Sequence, residues 1–155
     1  MDMNGRSERR FAVKITHQEK YQFLSEASEA EEKHGAPYLS DEPKPVGDNA
    51  GPSTPALLAS AIGHCLSASL LECLKHAHVD VLSCCADAVA VVRPNAEGKP
   101  RIDHVEVTIR PRVKGPSNRL TRCEDLYKNS CTVTSSVERG IAVAVKIDWD
   151  VVDHT

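Results

Sequence analysis

Two cysteines, Cys65 and Cys131, are the residues of this chain whose type and surroundings point most directly to chemistry. Cys65 follows a proline-rich segment and lies in a stretch of Leu, Ala and Ser, with His64 beside it. Cys131 follows the polar residues 128–130 and precedes Thr132. Two thiols that meet in a folded protein can interconvert between a dithiol and a disulfide. The hypothesis to test is therefore a redox-active pair.

Each cysteine also has an ordinary structural explanation. A cysteine in a helix of small residues, such as Cys65, is most often a small hydrophobic side chain. It lies nearly three turns into the predicted helix, so the helix dipole would help its thiolate little. Cys131 is explained equally well as a buried turn cysteine. It falls at a predicted break between helices, however, where free N–H groups can lower a thiol pKa.

The other four cysteines are predicted to be structural. Cys73 lies eight residues after Cys65, roughly on the same helix face, and Cys123 lies in the second predicted helix, where it competes with Cys131 for a partner. The adjacent Cys84 and Cys85 fall in a strand and face opposite sides of a sheet. No C-x-x-C pair is present, which argues against zinc-ribbon and thioredoxin-like sites.

A metal site is not supported by the histidines near these cysteines. His64 adjoins Cys65, and His76 is two residues from His78. Side chains two residues apart on a helix do not converge on one ion, and no ligand set has the spacing of known zinc sites. We therefore predict no metal and no cofactor.

Composition indicates a single domain covering residues 1–155, with residues 1–8 flexible. The net charge is −3 and the pI about 6.2, which argues against nucleic acid as a partner. No stretch approaches ~18 uninterrupted apolar residues, and residues 1–10 lack the apolar segment of a signal peptide. We expect a cytoplasmic protein that does not enter a membrane and whose six cysteines are free thiols.

Hydrophobic periodicity predicts the elements that must position these residues. The predicted strands cover residues 11–15, 21–24, 79–92, 101–112 and 141–149. The predicted helices cover residues 54–78, 118–128 and a short piece that ends near residue 138, before Gly140. Thr54 is a candidate N-cap, with Pro55 at the first helical position. Separate helices and hairpin-linked strands predict an α+β fold.

Three segments carry more specific expectations. The first predicted helix is apolar on every side, so we expect it to be buried all round. Residues 25–34 are interpreted as a solvated loop or a short exposed helix, and residues 35–53 as a Pro/Gly-rich loop. Asp41 and Glu42 are interpreted as solvated charges of that loop. Of the predicted strands, 141–149 has the clearest alternation.

The chain resembles the superfamily of osmotically inducible protein C and organic hydroperoxide resistance proteins, abbreviated OsmC/Ohr. The resemblance runs from about Arg9 to Val151. Its motifs are Asp41-Glu42-Pro43, residues 47–53 with the sequence Gly-Asp-Asn-Ala-Gly-Pro-Ser, a Leu/Ala/Ser helix carrying Gly63-x-Cys65, and Cys131-Thr132-Val133, where the family usually shows Cys-Pro-Val.

The resemblance implies an OsmC-like fold, with antiparallel sheets around long central helices and two chains interlocked as a homodimer. It also implies a thiol-dependent peroxidase that reduces organic hydroperoxides. In that chemistry Cys65 attacks the O–O bond and becomes a sulfenic acid, and Cys131 resolves it as a disulfide. A dithiol or a lipoylated protein would then reduce the pair.

Two family positions differ in this chain. Family peroxidases carry an Arg in the loop before the helix and a Glu in its first turn, where this sequence has Pro45 and either Pro55 or Ala56. The chain is therefore similar to OsmC-like branches that keep both thiols and vary the loop. The alternative function is a non-enzymatic redox sensor or ligand-binding dimer. A third possibility is a structural or interaction dimer with inert buried cysteines.

Overall fold

The computed structural model describes residues 8–114 and 117–148. In chain order the elements are β1 (Phe11–His17), β2 (Phe23–Glu29), β3 (Glu32–Ser40), α1 (Thr54–His76), β4 (Asp80–Pro94), β5 (Pro100–Lys114), α2 (Ser117–Ser130) and α3 (Thr132–Arg139). This order confirms the predicted α+β class. The expected flexibility of residues 1–8 falls, apart from residue 8, outside the described residues, as does the Trp149 end of the last predicted strand.

The first three strands form one antiparallel sheet in the order β1-β2-β3. Strand β1 pairs with β2 from Phe11 opposite Glu29 to His17 opposite Phe23. The pairing of β2 with β3 shifts register between Ser25 and Ala27. The strand predicted at residues 11–15 is confirmed, and the next one begins near its predicted position and is longer.

The interpretation of residues 25–34 as a loop or helix is wrong, because they form most of the β2–β3 hairpin. The two residues of its turn, Ala30 and Glu31, have φ angles of 48° and 70°. Two consecutive positive φ angles are typical of a type I′ turn, which usually contains Asn or Gly. Neither residue is present, so the sequence carries no hairpin signal. Strand β3 also shortens the predicted loop to residues 41–53.

Helix α1 begins with a hydrogen bond from the Leu57 amide to the Ser53 carbonyl, which places Ser53, not Thr54, at the N-cap position. One face of the helix is buried and consists of Ala59, Ile62, Leu66, Leu70 and Leu74. The opposite side is exposed in this single chain, so the expectation of burial all round is wrong here. The helix is long and apolar enough to cross a membrane, a weak indication shared by the core helices of soluble proteins.

The chain divides into two compact units, and both candidate cysteines lie in the second, which comprises residues 62–86 and 109–155. The core of this unit consists of Leu70, Leu74, Val79 and Cys123, with side chains of β5 and α2 packed against it. Strands β4 and β5 form a separate hairpin. Its turn is closed by the Asn95 side chain, which accepts from the amides of Glu97 and Lys99.

The final predicted strand is wrong for the residues described, since residues 141–148 form no strand. A strand requires hydrogen bonds to a neighbouring strand, and this segment has no such neighbour within the described chain. Its alternating apolar side chains are all highly exposed, with 62% of Ile141 and 82% of Val143 accessible to solvent. The sequence pattern of a half-buried strand is thus present without a partner to bury it.

Candidate thiol site

Cys65 lies on α1 beside its buried face, between the exposed His64 and the buried Leu66. Its side chain is partly accessible to solvent. On the same helix Gly63 is buried, and the Ser67 hydroxyl donates back to the Gly63 carbonyl at 2.8 Å. Cys65 is thus the more exposed of the two candidate cysteines, since Cys131 is fully buried.

Cys131 is the N-cap residue of α3 and is completely buried. Its backbone is extended, and its Sγ accepts a hydrogen bond from the Thr134 amide at 3.4 Å. The Thr134 Oγ1 lies 3.0 Å from the same sulfur. An N-cap side chain normally satisfies a free amide of the first helical turn, and here a thiol sulfur takes that role. The predicted break between α2 and α3 is thus confirmed, with free N–H groups directed at Cys131.

The two predicted site residues meet in the folded chain, since Cys65 and Cys131 are hydrogen-bond partners. The first turn of α3 supplies amides to both sulfurs. Those of Thr132 and Val133 act on Cys65, and those of Val133 and Thr134 act on Cys131. One helix terminus thus provides hydrogen-bond donors for a negative charge on either sulfur.

The pKa values of the two thiols shift in opposite directions. Burial raises the pKa of Cys65, and its thiol, as the donor to Cys131, is held further in the protonated form. Burial alone would also raise the pKa of Cys131. Hydrogen bonding with the Cys65 thiol and with the Thr134 hydroxyl, together with the Thr134 and Val133 amides, outweighs this effect and lowers the pKa. The pair therefore carries its charge more readily on Cys131 than on Cys65.

A second thiol contact joins α1 to α2, between Cys73 and the buried Cys123. Burial, followed by the hydrogen bond with Cys73, raises the pKa of Cys123 to about 11. The Cys123 side chain belongs to the apolar core of the second unit. The sequence analysis predicts that Cys123 competes with Cys131 for a partner. In the structure the partner of Cys123 is Cys73. Cys73 and Cys123 also line an open cleft of about 520 Å³.

Asp41 has a structural role that the sequence did not reveal. The interpretation of Asp41 as a solvated loop charge is wrong, because only 3% of its surface is exposed. Its carboxylate accepts hydrogen bonds from the amides of Ala50, Asp48 and Glu42 at 2.8–3.0 Å. The Ala50 amide, opposed by burial and reinforced by the other two amides, lowers its pKa. A side chain at Gly47 would collide with the Glu42 carbonyl, so this tight loop requires glycine there.

The histidines near the cysteines, and the adjacent Cys84 and Cys85, do not form a further thiol or metal site among the described residues. Within the described part of the chain, no three His, Cys, Asp or Glu side chains are grouped as metal ligands. His64 is exposed, and His76 Nδ1 lies 3.3 Å from a Glu72 carboxylate oxygen on the same helix. Cys85 is exposed on β4 while Cys84 is half-buried, as expected for adjacent strand residues.

The sequence profile of OsmC-like proteins matches residues 47–146, about two thirds of the chain. This chain therefore belongs to the OsmC-like protein family, and the predicted family is confirmed. The matched segment contains both Cys65 and Cys131. No curated protein matches the chain in sequence.

Solved structures resemble the fold at low sequence identity. An OsmC-like protein of unknown function from Vibrio cholerae has a TM-score of 0.65 at 19% identity, over 86% of this chain and 95% of that one. An OsmC-like protein from Mycoplasma pneumoniae has a TM-score of 0.62 at 11% identity, over 89% of both chains. An organic hydroperoxide resistance protein from Elizabethkingia anophelis has a TM-score of 0.57 at 14% identity, over 89% and 92%. These likenesses establish the OsmC-like fold.

Proposed function

We propose that this protein is a thiol-dependent peroxidase that reduces organic hydroperoxides. Cys65 attacks the terminal oxygen of ROOH and becomes a sulfenic acid as ROH leaves. Cys131 then attacks the Cys65 sulfur, which gives the disulfide and releases the hydroxyl oxygen as water. A small dithiol or a lipoylated protein returns both cysteines to thiols. The observation that carries the proposal is the direct contact between the Cys65 and Cys131 thiols.

Accessibility favours this division of roles. Cys65 is partly exposed and can meet a peroxide, whereas Cys131 is fully buried and can meet only what reaches it through the protein. Sulfenic acids condense readily with a neighbouring thiol, and Cys131 is held beside Cys65 by its position at the start of α3. Family membership and the fold shared with a hydroperoxide resistance protein support the same substrate class.

The test is consumption of cumene hydroperoxide in the presence of a dithiol. We expect the wild type to consume peroxide and Cys65→Ser to fall to the uncatalysed rate, because the attacking sulfur is gone. Cys85→Ser removes another accessible thiol of the same chain and serves as the matched control, with wild-type activity expected. Equal rates for wild type and Cys65→Ser would contradict the proposal.

A second candidate function is a redox sensor or ligand-binding dimer without efficient turnover. It is favoured by the raised pKa of Cys65, which results first from burial, and by Pro45 and Pro55 or Ala56 at the positions where family peroxidases carry Arg and Glu. A sensor would form the Cys65–Cys131 disulfide once and stay oxidised with the dithiol present. A peroxidase would cycle many times.

We further propose that the protein acts as a cytoplasmic homodimer. The described chain exposes apolar side chains that a partner would bury, notably Phe11, Val13 and Ile15 on one face of β1 and the alternating series from Ile141 to Ile147. Exposed apolar surface of this extent typically marks an interaction site. Sedimentation equilibrium at micromolar concentration should give twice the chain mass of 16.9 kDa. A monomer would contradict this assignment.

A further inference from the structure

We propose that the cleft between the end of α1 and α2 is a binding site for a small amphipathic carboxylate. Arg119 and Arg122 hold the carboxylate group, and the apolar residues beside them receive the hydrocarbon part. Neither Cys65 nor Cys131 lines this cleft. The proposal therefore goes beyond the peroxidase function and does not depend on it.

The cleft lies between two helices, and helical spacing explains which residues line it. Its volume is about 520 Å³, within the range of small-molecule sites. The lining residues of α2 recur every three or four positions and therefore share one face of that helix. The side chains on which the argument depends are Cys73 of α1, Ala77 directly after it, and Arg119, Arg122, Cys123 and Leu126 of α2.

Arg119 is held in place by the way in which α1 ends. His78 reverses the chain there with a φ angle of 54°, and its amide donates to the Lys75 carbonyl at 3.0 Å. A left-handed residue just after a helix is a common ending of this kind. The carbonyl of Ala77, next to this turn, accepts from the Arg119 guanidinium at 2.8 Å. A guanidinium has five N–H donors, so this bond orients the group and leaves donors for a carboxylate.

Two arginines make the cleft cationic. Arg119 and Arg122 lie three positions apart on α2, which places their side chains next to each other, and no Asp or Glu is among the described residues that line the cleft. His76 also lines it, but a Glu72 carboxylate oxygen lies 3.3 Å from its Nδ1, and this pair adds no net positive charge. We therefore assign the carboxylate of the ligand to the arginines, which can donate two parallel hydrogen bonds to such a group.

The apolar lining favours a ligand with a hydrocarbon part over a bare anion. Leu126 lines the cleft and exposes 48% of its surface. Cys73 and Ala77 are half-buried, and Cys123 is buried. A hydrocarbon group that covers these side chains removes apolar surface from water, which favours binding. The expected ligand is thus a carboxylate on a short hydrocarbon chain, since apolar walls with a few placed polar groups are typical of small-molecule sites.

Alkylation of Cys73 measures whether the cleft is occupied, because this side chain lines it. The reagent is N-ethylmaleimide on the full, reduced chain, and tandem mass spectrometry assigns the modified cysteines. Hexanoate at about ten times its dissociation constant should slow the modification of Cys73 about tenfold and leave that of the exposed Cys85 unchanged.

Two further compounds separate the charge from the hydrocarbon chain. Hexan-1-ol lacks the charge and acetate lacks the chain, so each should protect Cys73 far less than hexanoate at the same concentration. Equal protection by hexan-1-ol would overturn the role of the arginines, and equal protection by acetate would overturn the role of the apolar lining. No reaction of Cys73 in the absence of a ligand would show that the cleft is closed, and would overturn the proposal as a whole.

The variant Arg122→Gln tests the charge within the protein. Arg122 is exposed, so its loss should leave the fold intact, which urea denaturation checks. About tenfold more hexanoate should be needed for the same protection of Cys73, because one charged hydrogen-bond donor is lost. Arg139→Gln removes an arginine from the last turn of α3 that does not line the cleft, and should behave as the wild type. The same hexanoate dependence in Arg122→Gln and wild type would overturn the assignment.

Discussion

The two thiol pairs of the second unit contain the same chemical groups in different surroundings. Cys65 and Cys131 meet where the first turn of α3 directs amides at both sulfurs. Cys73 and Cys123 meet between α1 and α2, where Cys123 is packed with Leu70, Leu74 and Val79. Both pairs include a buried sulfur, yet the pKa of Cys131 is lowered and that of Cys123 is raised to about 11.

Hydrogen-bond donors, more than burial, account for this difference. Burial raises the pKa at Cys131 and at Cys123 alike. At Cys131 it is outweighed by the hydrogen bond with the Cys65 thiol, together with the Thr134 hydroxyl and the amides of the α3 terminus. At Cys123 the hydrogen bond with the Cys73 thiol adds to the effect of burial, and the positive charge of Arg122 lowers the pKa only weakly. A thiol contact alone therefore does not make a reactive pair. The two pairs should behave differently in every experiment that depends on thiolate formation.

The largest expected difference is in oxidation by organic hydroperoxide. One equivalent should produce the Cys65–Cys131 disulfide and leave Cys73 and Cys123 reduced, because disulfide formation requires a thiolate, which the lowered pKa of Cys131 favours in the first pair and the raised pKa of Cys123 disfavours in the second. Peptide mapping by mass spectrometry without reduction identifies the linked cysteines. Cys131→Ser should abolish the disulfide, and the matched variant Cys123→Ser should leave it intact. Formation of Cys73–Cys123 at an equal rate would remove the distinction between the pairs.

A second difference is expected in stability when each buried sulfur is replaced by a hydroxyl. At position 123 the serine hydroxyl would lie in an apolar core with one thiol as a polar neighbour, so Cys123→Ser should lower the free energy of unfolding by about 1–3 kcal/mol. At position 131 the hydroxyl meets the Thr134 amide and hydroxyl, and serine is a favoured N-cap residue. Cys131→Ser should therefore cost less than Cys123→Ser.

Urea denaturation under reducing conditions measures both changes. Cys85→Ser, on an exposed strand position, provides the baseline for an unburied cysteine and should differ little from the wild type. The hydrogen bonds to Cys131 indicate that the α3 terminus can accommodate a hydroxyl at position 131. Equal losses of unfolding free energy for Cys123→Ser and Cys131→Ser would contradict this.

The sequence predicted much of this arrangement and missed its details for physical reasons. Helical spacing and the break before Thr132 were sufficient to place Cys65 on α1 and Cys131 at the start of α3. The partner of Cys123 depends on how α2 packs, which spacing along the chain does not contain. Thr134 carries a recognisable signal, because the third residue after an N-cap often has a side chain directed back at the cap.

The errors in the fold have similar origins. The β2–β3 hairpin was missed because Ala30 and Glu31 adopt positive φ angles without the Gly or Asn that would indicate them. The last predicted strand has the correct alternation, but whether Ile141 and Val143 pair with another strand depends on a neighbour that the described chain does not provide. The pattern of a sequence segment determines which of its side chains share a face. It does not determine which strand the segment pairs with.

The smallest expected difference between the pairs is in the pH dependence of stability. Cys123 has a folded pKa of about 11, above its ordinary value of 9.0. The unfolded chain therefore loses this proton first, and the stabilisation present below pH 9 is lost as the pH rises toward 11. The pKa of Cys131 is lowered from 9.0. Its contribution is present above pH 9 and is lost as the pH falls through the folded value.

Urea denaturation across this range, compared with alanine variants, isolates the two contributions from other titrating groups. The difference in unfolding free energy between wild type and Cys123→Ala should shrink from pH 9 to 11. The difference between wild type and Cys131→Ala should grow as the pH rises toward 9, because the folded chain holds the thiolate that the unfolded chain has not yet formed. Parallel curves for both variants would mean that the α3 terminus does not stabilise charge on Cys131, and that the two pairs differ only in exposure.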